Sequence, residues 1–115
     1  MKVKIIAVDF DGTMCTDEWP DIGKPNHKVL NYLKAQKERG AKLILWTCRN
    51  GANLEAAVRW CERMGIIFDA VNQNLPESIA AFGSDTRKVF AHEYIDDRSC
   101  TRFKFDHKEL DGNGE

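Results

Sequence analysis

The side chains in this sequence that could do chemistry are concentrated just after, or just before, apolar runs. They comprise four carboxylates, a hydroxyl, a guanidinium and an ammonium group: Asp9, Asp11, Thr47, Arg49, Lys88, Asp96 and Asp97. Two acidic pairs stand far apart in the chain but in similar settings. This placement predicts that they meet in one site.

Asp9 and Asp11, together with Asp96 and Asp97, suit a hard cation held beside a phosphorylated substrate. Mg²⁺ prefers oxygen ligands and usually takes one or two carboxylates plus a substrate phosphate. A nucleophilic carboxylate such as Asp9 needs a cation and a lysine to offset repulsion by the phosphate. Asp11 is close enough in sequence to protonate the leaving oxygen. The pattern therefore predicts Mg²⁺-dependent phosphoryl transfer through an aspartyl-phosphate.

Apolar runs alternate with segments of helical periodicity, which predicts alternating strands and helices. Strands are expected at 2–10, 42–46, 66–71 and 89–95, with a short fifth at 102–105. Helices are expected from Pro25-Asn26 to Gly40, from an Asn53 cap to Gly65, and over 76–82. The polar stretch 12–24 is predicted to be an excursion without a repeating element.

Such alternation is typical of α/β proteins, and it predicts a three-layer, Rossmann-like sandwich with a mainly parallel sheet. One domain is expected over residues 1–105, followed by a polar tail at 106–115. In these sheets ligands bind beyond the carboxyl ends of the strands. The site should therefore lie just after residues 8, 46 and 95, where most of the candidate side chains occur.

The motifs at these strand ends resemble those of the haloacid-dehalogenase (HAD) phosphohydrolases. Asp9-Phe10-Asp11-Gly12-Thr13 matches the first signature, and Leu43–Thr47 matches the second, a hydrophobic strand that ends in Thr or Ser. Lys88 stands where the third-motif lysine can lie, and Tyr94–Asp97 matches the acidic fourth motif. The agreement extends over residues 3–99, so the chain is similar to a small HAD phosphatase without a cap domain.

The resemblance implies a role for each candidate residue. Asp9 would attack phosphorus and bind Mg²⁺, while Asp11 would act as acid and base and offer the metal its backbone carbonyl. Asp97 and Asp96 would complete the metal site. Thr47 and Lys88 would hold phosphoryl oxygens. Arg49 is a candidate third phosphate contact, with an ordinary salt bridge as its alternative.

The substrate class stays open on the sequence alone. Short stretches around Thr47 and Asp97 look somewhat like the phosphatase half of phage polynucleotide kinases. A phosphorylated small molecule and a phosphorylated nucleic-acid end are therefore both candidates. An active site without a cap is open, which favours a bulky substrate or a second copy of the chain that covers it.

Composition excludes several other classes. The 115 residues carry a formal net charge of -1, which gives no bulk attraction to nucleic acid or anionic membranes. No stretch is apolar enough to span a bilayer, and no export signal precedes the first strand. The four cysteines lack zinc-ligand spacing and are expected to be reduced thiols. We therefore expect a cytoplasmic protein with no membrane partner.

Three alternatives remain beside the phosphatase. A phospho-receiver domain also combines an acidic pair, a hydroxyl and a lysine, but its acceptor aspartate ends a middle strand. A binding module could keep the fold without turnover. A phosphotransferase could pass the same phosphoryl group to an acceptor other than water. A calcium-binding EF-hand loop is excluded, because Met14 stands where its glycine should be and Pro20 where its closing glutamate should be.

Overall fold

The computed structural model describes residues 3–98 of the chain. The expected fifth strand at 102–105 and the tail at 106–115 lie outside the described residues. Within them, strands and helices follow one another in this order: β1 (Ile5–Val8), β2 (Cys15–Glu18), β3 (Asp21–Pro25), α1 (His27–Glu38), β4 (Lys42–Leu45), α2 (Gly51–Arg63), β5 (Ala70–Val71), α3 (Pro76–Phe82) and β6 (Glu93–Ile95).

The main sheet has four described strands in the order β5-β4-β1-β6, and all three pairings are parallel. All four residues of β1 are buried, as expected for a strand between two neighbours with both faces covered. Its register sets Val8 beside Leu45 on β4 and beside Ile95 on β6. The predicted α/β class with a mainly parallel sheet is confirmed.

Apolar side chains of β1 alternate between two cores, because successive strand residues point to opposite faces. Ile6 and Val8 face a larger core that includes the buried stripes of α1 and α2, among them Val29, Leu33, Ala57 and Cys61. Ile5 and Ala7 face a smaller core with Ile44, Ala70, Leu75, Val89 and Ala91. The sheet is therefore covered on both faces.

The polar excursion at 12–24 contains regular structure that the sequence did not predict. Here the chain forms a two-stranded antiparallel hairpin, with Asp17 opposite Ile22 and Glu18 opposite Asp21. Only Cys15 of β2 is buried, so the hairpin lacks the apolar alternation that signals a strand. The Thr16 hydroxyl, 2.9 Å from the amide nitrogen of Lys24, accepts a hydrogen bond across the hairpin.

Several predicted boundaries also change. Helix α2 begins at Gly51 after the cap residue Asn50, not after Asn53, whose carbonyl lies inside the first turn. Strands β5 and β6 occupy only the ends of the apolar runs 66–71 and 89–95. Helix α3 has the expected bounds, and Gly83 ends it with a left-handed φ of 86°.

No helix among residues 3–98 is long and apolar enough to cross a membrane. The three described cysteines, Cys15, Cys48 and Cys61, are free thiols. The cytoplasmic location stays a prediction.

Candidate active site

Three carboxylates meet where β1 and β6 end. Asp9 follows β1, and Asp96 and Asp97 follow β6. The Asp9 amide donates to the Ile95 carbonyl at 2.9 Å, so the ladder between the strands continues up to the site. Asp9, Asp96 and Asp97 each offer an oxygen, and these oxygens all lie within 4.8 Å of one another. The parallel register thus brings Asp9 next to Asp96 and Asp97, which lie 87 and 88 positions further along the sequence.

The crowding of like charges changes the protonation of this cluster. Burial, followed by repulsion from Asp96, Asp97 and Asp11, raises the pKa of Asp9 to about 7. Burial and a hydrogen bond with Asp96 likewise raise the pKa of Asp97. A bound cation would reverse both effects by favouring the charged form. Half-buried carboxylate oxygens at this spacing fit the oxygen ligands that Mg²⁺ prefers.

Gly12 makes room for one of these acids. Its φ of 82° is left-handed, and a Cβ built there would lie 2.9 Å from Cγ of Asp97 and closer still to the Oδ2 atom. No real side chain tolerates such an approach without displacing Asp97. Beside it, the Thr13 hydroxyl lies 3.4 Å from Oδ2 of Asp9, a long hydrogen bond. The turn after β1 therefore supports both acids.

Asp11 is not part of the acidic cluster, since its carboxylate is bound by Arg49. Nε of Arg49 donates to Oδ2 at 2.8 Å, and Nη2 donates to Oδ1 at 2.7 Å. This is a bidentate fork, the strongest geometry for a guanidinium and a carboxylate. The Arg49 side chain is 1% exposed. The hydrogen bonds to Asp11 raise the pKa of Arg49, which keeps its charge fixed.

The same guanidinium ties the hairpin to the sheet. Nη2 also donates to the carbonyl of Asp21 at 3.0 Å, and Nη1 donates to that of Asn53 at 3.3 Å. Its Cζ lies 5.0 Å from the ring centroid of Phe10 and 4.9 Å from that of Trp19. Both distances are within the range of a cation–π contact. Arg49 therefore joins the end of β1, the hairpin and the start of α2.

The other two predicted phosphate ligands, Thr47 and Lys88, occupy different settings. Thr47 follows β4 at the same edge of the sheet; its amide donates to the Asn72 side chain at 2.8 Å, and its hydroxyl accepts from the Arg49 amide at 3.1 Å. Among residues 3–98 the hydroxyl hydrogen has no acceptor, so it can be donated to a ligand. Lys88 is exposed, and its ammonium lies 5.2 Å from the ring centroid of Tyr94. This contact places it beside β6.

Comparison with known proteins identifies one informative relative. No protein-family model and no curated protein matches the chain. A solved structure, that of a conserved protein from Bacteroides thetaiotaomicron, matches it with a TM-score of 0.76 and 32% identity. The match covers 96% of this chain and 92% of the other. The chain belongs to the same family as this conserved Bacteroides protein.

Sequence reasoning missed several residues that shape the site. It gave Thr13 no role beyond the motif, and it did not foresee Asn72 or Trp19 as partners of Thr47 and Arg49. Asn72 has a left-handed φ of 54°, a conformation in which Asn is enriched, and this is a weak signal. The exposed Trp19 in a polar stretch was the other available signal, because a large aromatic residue there needs a packing partner.

Proposed function

We propose that the protein is a Mg²⁺-dependent phosphohydrolase that acts through an aspartyl-phosphate on Asp9. The observation that carries this proposal is the convergence of Asp9, Asp96 and Asp97, with carboxylate oxygens within 4.8 Å of one another, at the carboxyl ends of adjacent parallel strands. This is the edge at which α/β sheets bind ligands. A phosphomonoester, either a small molecule or a nucleic-acid end, is the substrate class that matches such a site.

Membership of the HAD superfamily and a Rossmann-like, three-layer architecture without a cap form part of the same proposal. Numbered among the parallel strands alone, the sheet order is 3-2-1-4. That order agrees with the first strands of the doubly wound Rossmann arrangement. The two cores on opposite faces of the sheet support a layered sandwich. The signature motifs, placed at the strand ends, support the HAD assignment.

In the first chemical step, Oδ of Asp9 forms a bond to phosphorus while the bond from phosphorus to the leaving oxygen breaks. Attack requires ionised Asp9. In the metal-free protein its pKa is raised to about 7, because the carboxylate is buried beside other acids. Mg²⁺, held by Asp9, Asp96 and Asp97, would supply the positive charge that offsets this repulsion and polarises the phosphoryl group. The Thr47 hydroxyl can donate its hydrogen to a phosphoryl oxygen.

In the second step, water attacks phosphorus and the bond between phosphorus and Asp9 breaks. Asp11 would give its proton to the leaving oxygen in the first step and take one from water in the second. Its carboxylate is separate from the metal cluster and is held by the Arg49 guanidinium. Lys88 and Arg49 as phosphate ligands stay predictions.

The phospho-receiver alternative is less well supported. Flavodoxin-like domains, whose architecture receivers share, have the strand order 2-1-3-4-5, in which the first strand lies between the second and the third. Here β1 lies between β4 and β6, the second and fourth parallel strands. A phosphotransferase uses the same site and the same Asp9 intermediate. It differs only in the acceptor of the second step, which an assay with added alcohols would reveal.

The test is a screen of phosphorylated metabolites and phosphorylated oligonucleotide ends, with Mg²⁺ or with chelator. We expect phosphate release from at least one substrate in Mg²⁺ alone. Asp9→Asn should abolish it. The control is Glu38→Gln, a carboxylate-to-amide change at the exposed end of α1, which should leave turnover intact. Full turnover in excess chelator would contradict the proposal.

A further inference from the structure

Arg49 is unusual among the charged residues because it is buried and almost fully used. A guanidinium has five N–H donors. Four hydrogen bonds leave it: two to Asp11, one to the Asp21 carbonyl and one to the Asn53 carbonyl. Phe10 and Trp19 lie close to its Cζ. An arginine held in this way has little capacity left to bind a phosphate.

The contacts of Arg49 converge on Asp11, the residue expected to move the proton. Both Asp11 oxygens accept from the guanidinium, at 2.8 Å and 2.7 Å. A fork of this kind fixes the plane of the carboxylate, whereas a lysine would act only as a point charge.

We propose that Arg49 is a positioning residue that aims Asp11 at the leaving oxygen, rather than a ligand of the substrate phosphate. The guanidinium binds the Asp11 carboxylate and also donates to the Asp21 carbonyl in the hairpin and to the Asn53 carbonyl in α2. The carboxylate is therefore held relative to both elements. This inference rests on the proposed function, since it assigns a role within the same reaction. The hairpin also gains a role, because Asp21 and Trp19 hold the guanidinium in place.

A comparison of two substrates tests the role. An alkyl phosphate leaves as a basic alkoxide that needs a proton, whereas nitrophenyl phosphate needs little help. With Arg49→Gln and Arg49→Lys, kcat for the alkyl phosphate should fall about 100-fold, in the range of a lost general acid. The fall for nitrophenyl phosphate should be much smaller, and KM should stay unchanged for both. Arg59→Gln, an exposed arginine on α2, is the control and should behave as wild type.

A double-mutant cycle with Asp11→Asn gives a second readout. If Arg49 acts through Asp11, Arg49→Gln should cost nothing more once Asp11 is changed. Multiplicative losses in the double variant would overturn the inference. So would a raised KM for both substrates with kcat unchanged, because that pattern is expected of a phosphate ligand.

A third variant guards against misfolding of the buried Arg49 changes. Trp19 is 55% exposed, so Trp19→Leu should fold while it removes one aromatic contact of the guanidinium. We expect a smaller loss with the same bias toward the alkyl phosphate; equal losses on both substrates would overturn the role. If the wild-type protein shows no Mg²⁺-dependent turnover, the proposed function itself is contradicted. If the wild type is active and the variants change only KM, the role of Arg49 alone is contradicted.

Discussion

At the scale of single residues, the site depends on a few side chains whose charges would repel one another without a cation. Asp9 is the residue that this arrangement affects most, with a pKa of about 7. The isosteric change Asp9→Asn removes the nucleophile and its charge together. We expect phosphatase activity to fall at least about 1,000-fold, because loss of a covalent nucleophile costs far more than loss of a contact. Steady-state assays and a circular dichroism spectrum measure activity and fold separately.

The metal ligands are tested by Asp97→Ala. Removing one of the three clustered carboxylates should raise the Mg²⁺ concentration needed for half-maximal activity, since water replaces a charged ligand poorly. A Mg²⁺ titration of initial rate gives the measurement. Glu38→Ala, which removes an exposed acid at the end of α1, is the comparison. If the Mg²⁺ requirement of Asp97→Ala is unchanged, Asp96 rather than Asp97 is the direct ligand.

Gly12→Ala tests whether the turn shapes the site. The new methyl group would meet the Asp97 carboxylate, and alanine would adopt a φ of 82° at a cost of about 1 kcal/mol or more. We expect a lower thermal midpoint and weaker Mg²⁺ binding. Gly40→Ala is the control: its φ of 93° imposes the same strain, but nothing lies within 4 Å of an added Cβ. It should lower the thermal midpoint without changing the Mg²⁺ requirement.

At the scale of elements, Asp69 links α1 to the sheet. Its Oδ2 accepts from the Lys37 ammonium at 2.7 Å and from the Leu43 amide at 2.8 Å. Burial alone would raise the pKa of Asp69, but these two hydrogen bonds outweigh burial and lower it below 3.8. A lowered folded pKa means that Asp69 stabilises the fold above the unfolded pKa and that this contribution is lost as pH falls through the folded pKa.

We therefore expect Asp69→Asn to reduce the free energy of unfolding by about 1–2 kcal/mol at pH 7. The difference in unfolding free energy between the variant and the wild type should shrink as the pH falls below 3.8. In that range Asp69 of the wild type becomes protonated and is then neutral, like Asn. Urea unfolding across pH measures it. Glu55→Gln breaks an exposed pair with Arg59 at 4.0 Å and should have no measurable effect. A gap independent of pH would mean that shape, not charge, matters at Asp69.

At the scale of the whole molecule, the raised pKa of Asp9 couples folding to pH and metal. Because its folded pKa of about 7 exceeds the ordinary value of 3.8, the folded state binds more protons than the unfolded state between them. Stability of the metal-free protein therefore falls, on account of Asp9, as pH rises through this window. Asn carries no such proton. The stability advantage of Asp9→Asn over wild type should grow across this window in chelator.

Saturating Mg²⁺ should reverse this order above the folded pKa of Asp9, since it binds the ionised folded site. Thermal melts of both proteins, with Mg²⁺ and with chelator, give the four curves required. A constant difference across pH would contradict a strongly perturbed Asp9. If the thermal midpoint of the wild type is the same with and without Mg²⁺, the proposed metal site is contradicted.

The sequence by itself determined the outline of the site. Apolar runs predict strands because β-branched residues suit a sheet buried on both faces. Parallel strands end at a common edge, so Asp9, Asp96 and Asp97 were expected to meet. Local signals also located α3, since a proline begins it and Gly83 ends it. These features depend on short-range pattern and on the general rules of parallel sheets.

Only the tertiary structure decided how the remaining residues are used. Arg49 is 38 positions from Asp11, and nothing in a linear pattern specifies which of several carboxylates a guanidinium will bind. The hairpin at 15–25 also escaped prediction because a single buried residue of β2, Cys15, carries no alternation. The fit of Gly12 against Asp97 depends on atoms from both ends of the chain. Such pairings arise only when the packed sheet fixes the distances between side chains that the sequence keeps far apart.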